Sequence, residues 1–166
     1  MRRNNGGFTL IELIVVIVIL GILAVTAAPK FIDLQSDARL ATLNGMKAAI
    51  NSAVSLTYGK SLVTGVEKNA TGSKVSINGA QVEVCYGYPC SAHDRIEAVL
   101  DIGDFAECAE GVPGDWCYKE NASTKSIDIY IAKGYTANSQ CFVTYTESSA
   151  AGSAPKVALS PNVNKC

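Results

Sequence analysis

The sequence predicts an α+β fold in which one long N-terminal α-helix packs on an antiparallel β-sheet. A continuous apolar block extends from Phe8 to Ala28, and a stretch with helical spacing of apolar residues follows it as far as Tyr58. Short segments of alternating apolar residues then fill the second half of the chain. The first half of the helix is apolar enough to be embedded in a membrane, so we expect a single domain anchored by one helix.

The apolar block is long enough to cross a bilayer. As a helix, residues 8–28 would span roughly 32 Å, about one hydrocarbon thickness. Arg2 and Arg3 precede the block and should stay cytoplasmic, so the rest of the chain is expected to be exported. An ordinary signal peptide is the competing interpretation, because Ala24–Ala28 offers small residues for cleavage, but such peptides have shorter apolar cores.

Glu12 is the single charge inside this block. A carboxylate within a bilayer costs about 2.5–3.5 kcal/mol on insertion scales, so it needs a partner. The sequence suggests none within this helix, and we therefore expect the partner on another chain.

A short basic leader is thus followed by the run Gly6-Gly7-Phe8-Thr9-Leu10-Ile11-Glu12. This junction resembles the class III signal of type IV prepilins and type II secretion pseudopilins. The resemblance implies that a membrane aspartyl protease, the prepilin peptidase, cuts the Gly7–Phe8 bond and N-methylates Phe8. The residues agree with such a cut, because Gly6 and Gly7 would let the chain extend into a narrow protease site and the cut would create an α-amino group at Phe8. The resemblance also implies that Glu12 pairs with the Phe8 amine of a neighbouring subunit. Residues 1–7 would then be the leader peptide and residues 8–28 the transmembrane and assembly helix.

The residues after the block predict an amphipathic helix over 29–58. Pro29 should kink or locally melt the helix at the membrane boundary, and Gly59 is expected to end it. A stripe of mostly small residues could pack against another helix, and it consists of Leu34, Ala38, Ala41, Gly45, Ala48 and Ser52. A second stripe should cover the sheet as part of the core, and it consists of Leu43, Ile50, Val54 and Thr57.

Residues 59–166 should form the globular part, with an αβ-loop, a sheet and a disulfide-bonded C-terminal region. A loop over residues 60–73 is followed by a hairpin signal at Asn78-Gly79. A capping box at Ser91–Asp94 would open a short helix that ends near Leu100. Alternation predicts further strands at Ile127–Ile131, Cys141–Tyr145 and Lys156–Leu159.

The chain has six cysteines, no C-x-x-C pair and one histidine. In a segment expected to be exported, this pattern favours disulfides over free or metal-bound thiols. Fifteen pairings are possible, and we favour the sequential one: Cys85–Cys90, Cys108–Cys117 and Cys141–Cys166. The first two pairs enclose turn-forming runs. The third would bound a C-terminal region like the recognition surface of many type IV pilins.

The stretch from Phe8 to about Ser55, which includes Ala27–Arg39, looks most like MSHA-type major pilins, the mannose-sensitive haemagglutinin subunits of marine and aquatic Gram-negative bacteria. Tyr86–Pro89 fits the same group. This resemblance implies the major structural subunit of a type IV pilus, a helical homopolymer assembled by inner-membrane machinery, displayed outside a Gram-negative cell and serving adhesion. A minor pilin or a type II secretion pseudopilin is the alternative. A membrane-tethered enzyme is disfavoured, because no catalytic arrangement accompanies His93.

The charge pattern argues against two further functions. The formal net charge of -1 gives no basic excess of the kind that binds nucleic acid. Calcium would take oxygen ligands from an acidic run, but the spacing here does not match an EF-hand loop, so a solvated face without metal or cofactor is favoured. The acidic run consists of Asp94, Glu97, Asp101, Asp104, Glu107, Glu110 and Asp115.

The position of Pro29 gives a prediction for the assembled fibre. Proline donates no N–H and its ring clashes with an upstream carbonyl, so the helix around Ala27–Pro29 should loosen when the subunit leaves the bilayer. Cryo-microscopy of the fibre tests this directly. A map showing an unbroken helix from Phe8 to Tyr58 would contradict it.

Overall fold

The computed structural model describes residues 9–100, 102–103, 105–163 and 166, with side chains for all of these except 28–33. The chain divides into two units, Met1–Ala38 and Arg39–Cys166. The elements follow in the order α1 (Leu10–Thr64), β1 (Ser73–Ile77), β2 (Ala80–Cys85), β3 (Tyr88–Pro89), α2 (His93–Leu100), β4 (Phe105–Glu107), β5 (Trp116–Asn121), β6 (Ser126–Ile131), β7 (Phe142–Thr146) and β8 (Lys156–Leu159).

In the first unit, α1 carries a segment that suits a membrane. Leu10–Ala27 has 18 residues with a mean hydropathy of 3.0, and none of them is buried within the chain. Such a continuous apolar surface has to be covered by lipid or by another protein. The helix assignment continues through Pro29, and the loosening expected in the fibre stays a prediction.

In the second unit, one face of α1 is buried. The predicted core stripe is confirmed, because Leu43, Ile50, Val54 and Thr57 are all buried. The first three belong to a cluster that also holds aliphatic and aromatic side chains of β6 and β7, namely Ile127, Ile129, Val143 and Tyr145. Spacing of three or four residues therefore brings one row of side chains onto the sheet.

The prediction that Gly59 ends this helix is wrong. Gly59 lies on an exposed face, and no neighbouring atom lies within 4 Å of the place where a Cβ would be. The helix continues because Ser61 is buried and its hydroxyl donates to the Gly87 carbonyl at 2.9 Å. It ends at Thr64, followed by Gly65 with a φ of 71° and backbone bonds of a Schellman motif.

The described strands form two sheets where one was predicted. The first has the order β1-β2-β3 and the second the order β4-β5-β6-β7-β8. All neighbours are antiparallel except β4 and β5, which are parallel. The predicted hairpin is present, since Ile77 pairs with Ala80 and the turn residues Asn78 and Gly79 have φ of 48° and 83°.

Tyr145 links the two sheets through a buried hydrogen bond. Its side chain is 0% exposed, and its hydroxyl donates to the carbonyl of Pro89 in β3 at 2.6 Å. Burial also raises the pKa of Tyr145 above its usual value, so the phenol keeps its proton.

We predict that Tyr145→Phe lowers the free energy of unfolding by about 1–3 kcal/mol, because the Pro89 carbonyl would stay buried without its donor. Urea unfolding of the detergent-solubilised protein measures this. Tyr58→Phe is the matched control, since the Tyr58 hydroxyl makes no hydrogen bond among the described residues and Tyr58 as a whole is half-buried. Equal stability of the two variants would contradict the prediction.

Candidate functional site

Glu12 lies at the start of α1 in a capping box with Thr9. The Thr9 N–H and the Thr9 hydroxyl donate to Oε2 of Glu12 at 2.7 and 2.8 Å, and the Glu12 N–H donates to the Thr9 hydroxyl oxygen at 3.4 Å. The expectation that Glu12 has no partner within its own helix segment is therefore wrong. The signal was readable, because a threonine three residues before a glutamate is the capping-box spacing.

The structure describes the other residues expected to act in processing and assembly only in part or not at all. Gly7 and Phe8, with the expected cleavage point between them, lie outside the described residues. Pro29 lies in α1, but its side chain is not among those described. Cleavage, N-methylation and the pairing of Glu12 with a neighbouring Phe8 amine therefore stay predictions.

The structure joins the six cysteines in the three pairs favoured from the sequence: Cys85–Cys90, Cys108–Cys117 and Cys141–Cys166. The first closes the β2–β3 turn, where Tyr86 and Gly87 have φ of 53° and 84°. A Cβ at Gly87 would also lie 3.0 Å from the Cα of Glu67, so this turn needs glycine. The second joins the residue after β4 to β5 and reinforces the parallel pair.

The third disulfide holds Cys166 beside β7. The Arg39 guanidinium adds a second link, since Nη1 donates to the Cys166 carbonyl at 3.1 Å. Within the segment itself, the Cys166 N–H donates to the carbonyl of Val163 at 3.0 Å. The segment after β8 is thus attached to both the helix and the sheet.

A carboxylate from beyond β7 anchors the start of α2. Glu147 accepts hydrogen bonds from the Ser91 N–H at 2.9 Å and the Ser91 hydroxyl at 3.0 Å, and pairs with Lys125 at 3.3 Å. Its side chain is only 9% exposed. The short helix was predicted from a capping box at Ser91–Asp94, but the Ser91 hydroxyl donates to Glu147, which follows β7, and no local pattern could reveal this contact.

A second carboxylate, Glu120, holds His93. It accepts the His93 N–H at 2.7 Å and lies 2.8 Å from Nδ1 of the ring, which stacks on Tyr118 with 4.5 Å between centroids. The His93 amide above all holds the pKa of Glu120 below its usual value. The single histidine therefore docks α2 on the sheet.

The acidic run contributes no assembled metal site in the described part of the chain. Asp101 and Asp104 lie outside it, Asp94 pairs with Arg95 at 3.1 Å, and Glu107, Glu110 and Asp115 are exposed. A different group, Cys85, Cys90 and Glu147, brings three potential ligand atoms within 4.8 Å. Its two sulfurs are bonded to each other, so they offer no thiolate to a metal.

Comparison with known proteins places these features in a family. The family model of the prokaryotic N-terminal methylation motif matches residues 2–28. The type IV narrow pilus major component PilA5 of Thermus thermophilus is 50% identical over 50 residues, which cover 30% of this chain and 43% of that protein. The chain thus spans less than half of that relative.

Two further relatives extend the comparison. The fimbrial protein EcpC of Eikenella corrodens is 36% identical over 111 residues, 67% of this chain and 72% of that protein. The type II secretion system core protein G of Pseudomonas aeruginosa is 42% identical over 55 residues, 33% of this chain and 39% of that protein. No solved structure shows a significant match. On the extent of the match to the Eikenella protein, the chain belongs to the type IV pilin family.

The third disulfide gives a prediction. Cys141→Ser opens a loop whose ends are 25 residues apart, and the loop-entropy model assigns such a closure about 3 kcal/mol. We expect the segment after Leu159 to become sensitive to protease while the β1–β2 hairpin stays intact. Limited proteolysis with mass spectrometry measures both.

The matched control is Cys108→Ser with Cys117→Ser, which removes a disulfide that closes a shorter loop. The Cys141–Cys166 disulfide stays in place in this control. Non-reducing peptide mapping of the unmodified protein checks the pairing itself. A peptide that links Cys166 to any cysteine other than Cys141 would overturn the assignment.

Proposed function

We propose that the chain is the precursor of a structural subunit, the major pilin, of a type IV pilus. The prepilin peptidase removes residues 1–7 and methylates the new N-terminus at Phe8. The subunit then stays in the inner membrane of a Gram-negative cell until assembly. The inner-membrane assembly machinery adds it to a helical homopolymer that extends outside the cell. The fibre serves adhesion, and nucleic acid is not its main ligand.

The observation that carries this proposal is the uncovered apolar helix directly after the matched methylation motif. Leu10–Ala27 has no buried residue, and it contains one carboxylate near its start. Lipid can cover this surface in a single subunit, and equivalent helices can cover it in a polymer. A soluble monomer could do neither.

A second uncovered surface, on α1 in the globular unit, supports self-assembly. It consists of the exposed residues Ala41, Gly45, Ala48, Ser52 and Gly59. A glycine within a helix is about 1 kcal/mol less favourable than alanine. A Cβ at Gly45 or Gly59 would have no neighbouring atom within 4 Å, so packing inside the chain does not require glycine at either position. Small residues let another helix approach closely, so this face suits a neighbouring subunit.

The exported part has the features of a structural rather than a catalytic domain. Three disulfides suit an oxidising compartment, and the family is one of fibre subunits. We propose that the acidic residues are a solvated face and that no cofactor is required. A rise in the melting temperature on addition of calcium would contradict this.

A type II secretion pseudopilin is the second candidate, because core protein G of such a system is one of the relatives. The two functions differ in abundance and length of the fibre. A major pilin dominates the protein sheared from cells, whereas a pseudopilin or a minor pilin does not.

The test of the proposed function is intact-mass analysis of sheared surface fibres. We expect this chain to be the main component, with a mass that lacks Met1–Gly7 and includes one methyl group. Gly7→Val should block the processing by crowding the protease site. Fibres that retain the leader, or in which the chain is a trace component, would refute the proposal.

Glu12→Leu tests the assembly role in the same strain. We expect the variant to insert into the membrane at least as well, because a charge is removed from an apolar helix, and to accumulate folded subunits with few or no fibres. Val16→Leu, one turn further along the same helix, is the matched control and should assemble normally. Normal piliation by Glu12→Leu would remove Glu12 from the mechanism.

A further inference from the structure

The hydrogen bonds of Glu12 are concentrated on one oxygen. Both donors from Thr9, the N–H and the hydroxyl, point to Oε2. Within the described residues no donor is directed at Oε1, and the side chain is exposed. The carboxylate is thus held by one oxygen and open at the other.

The Thr9 hydroxyl does more than cap the helix. A simple N-cap is a bond from the N–H three residues on to the threonine oxygen, and here that distance is 3.4 Å, at the long end for a hydrogen bond. The bond from the hydroxyl to the carboxylate is much shorter, at 2.8 Å. The stronger interaction therefore acts on the Glu12 side chain.

We propose that Thr9 is a positioning residue for assembly: it fixes the Glu12 carboxylate so that Oε1 faces outward to accept the α-amine of a neighbouring subunit. The inference rests on the proposed function. A free glutamate side chain loses rotamer freedom when it binds, and fixing it beforehand removes that loss. The bond to the amine joins two charged groups, and bonds of this kind depend strongly on geometry.

The test compares Thr9→Val with Thr9→Ser in the full chain. Valine keeps the shape and removes the hydroxyl, whereas serine keeps the hydroxyl. Because a hydrogen bond to a charged group is lost, we expect Thr9→Val to reduce the rate of fibre accumulation at least about tenfold. Thr9→Ser should restore it to within about twofold of the unmodified protein, which a loss of packing alone would not produce.

Thr26→Val is the matched control. Thr26 lies in the same apolar segment, and its hydroxyl donates to the Leu23 carbonyl at 3.0 Å instead of to a carboxylate. It should assemble at the normal rate. Unchanged assembly by Thr9→Val, failure of Thr9→Ser, or an equal defect in Thr26→Val would each overturn the inference.

Leader cleavage is measured by intact mass in every variant. We expect it to be complete in all of them, because Thr9 acts on Glu12. Loss of fibres together with loss of cleavage in Thr9→Val would overturn the inference, since Thr9 would then act on processing. If the unmodified chain itself is not cleaved, it is the proposed function that fails, and the two failures are thus distinguished.

Discussion

Burial of one face of α1 against the two sheets is the interaction on which the rest of the globular unit depends. Leu43, Met46 and Ile50 enter the larger core, and Ala53 enters the smaller one with residues of β1 and β2. Burial of an aliphatic side chain is worth about 1.5–3 kcal/mol, so a few such residues outweigh most other contributions. One face of the helix packs on the sheets, and the opposite face is exposed in the single subunit. A helix with one buried and one exposed face suits a subunit that packs against its neighbours in a polymer.

The two sheets that pack on α1 are held to each other by contacts at the end of β7. Tyr145 lies in β7 and Glu147 directly follows this strand, and both side chains reach the end of β3 or the residues just after it. Tyr145 bonds to the Pro89 carbonyl and Glu147 bonds to Ser91. The Cys85–Cys90 disulfide closes the turn just before these contacts. These hydrogen bonds and the disulfide thus stabilise the boundary between the two sheets, where the apolar core is divided into separate clusters.

Local sequence patterns were enough to predict the elements that neighbouring residues determine. The periodicity of α1, the Asn78-Gly79 turn and the alternation in β6 and β7 each depend on neighbouring residues. The sequence did not reveal β4, because three residues cannot show an alternation, or β5, because Lys119 and Glu120 interrupt its apolar pattern. The end of α1 was misplaced for a related reason, since only contact with Gly87 shows why Ser61 is helical. Contacts distant in sequence decided each of these.

Glu12 shows how an apolar helix can hold a carboxylate at its start. The positive end of the helix dipole and two donors from Thr9 both favour the carboxylate at this position. The sequence argument treated Glu12 as wholly unpaired and so required another chain to explain its presence. The structure shows that Thr9 bonds to one carboxylate oxygen, so only the second oxygen is left for the neighbouring subunit of the proposed assembly. In the proposed assembly, Thr9 can therefore keep its bonds to Oε2 in a single subunit while Oε1 accepts the amine of a neighbour.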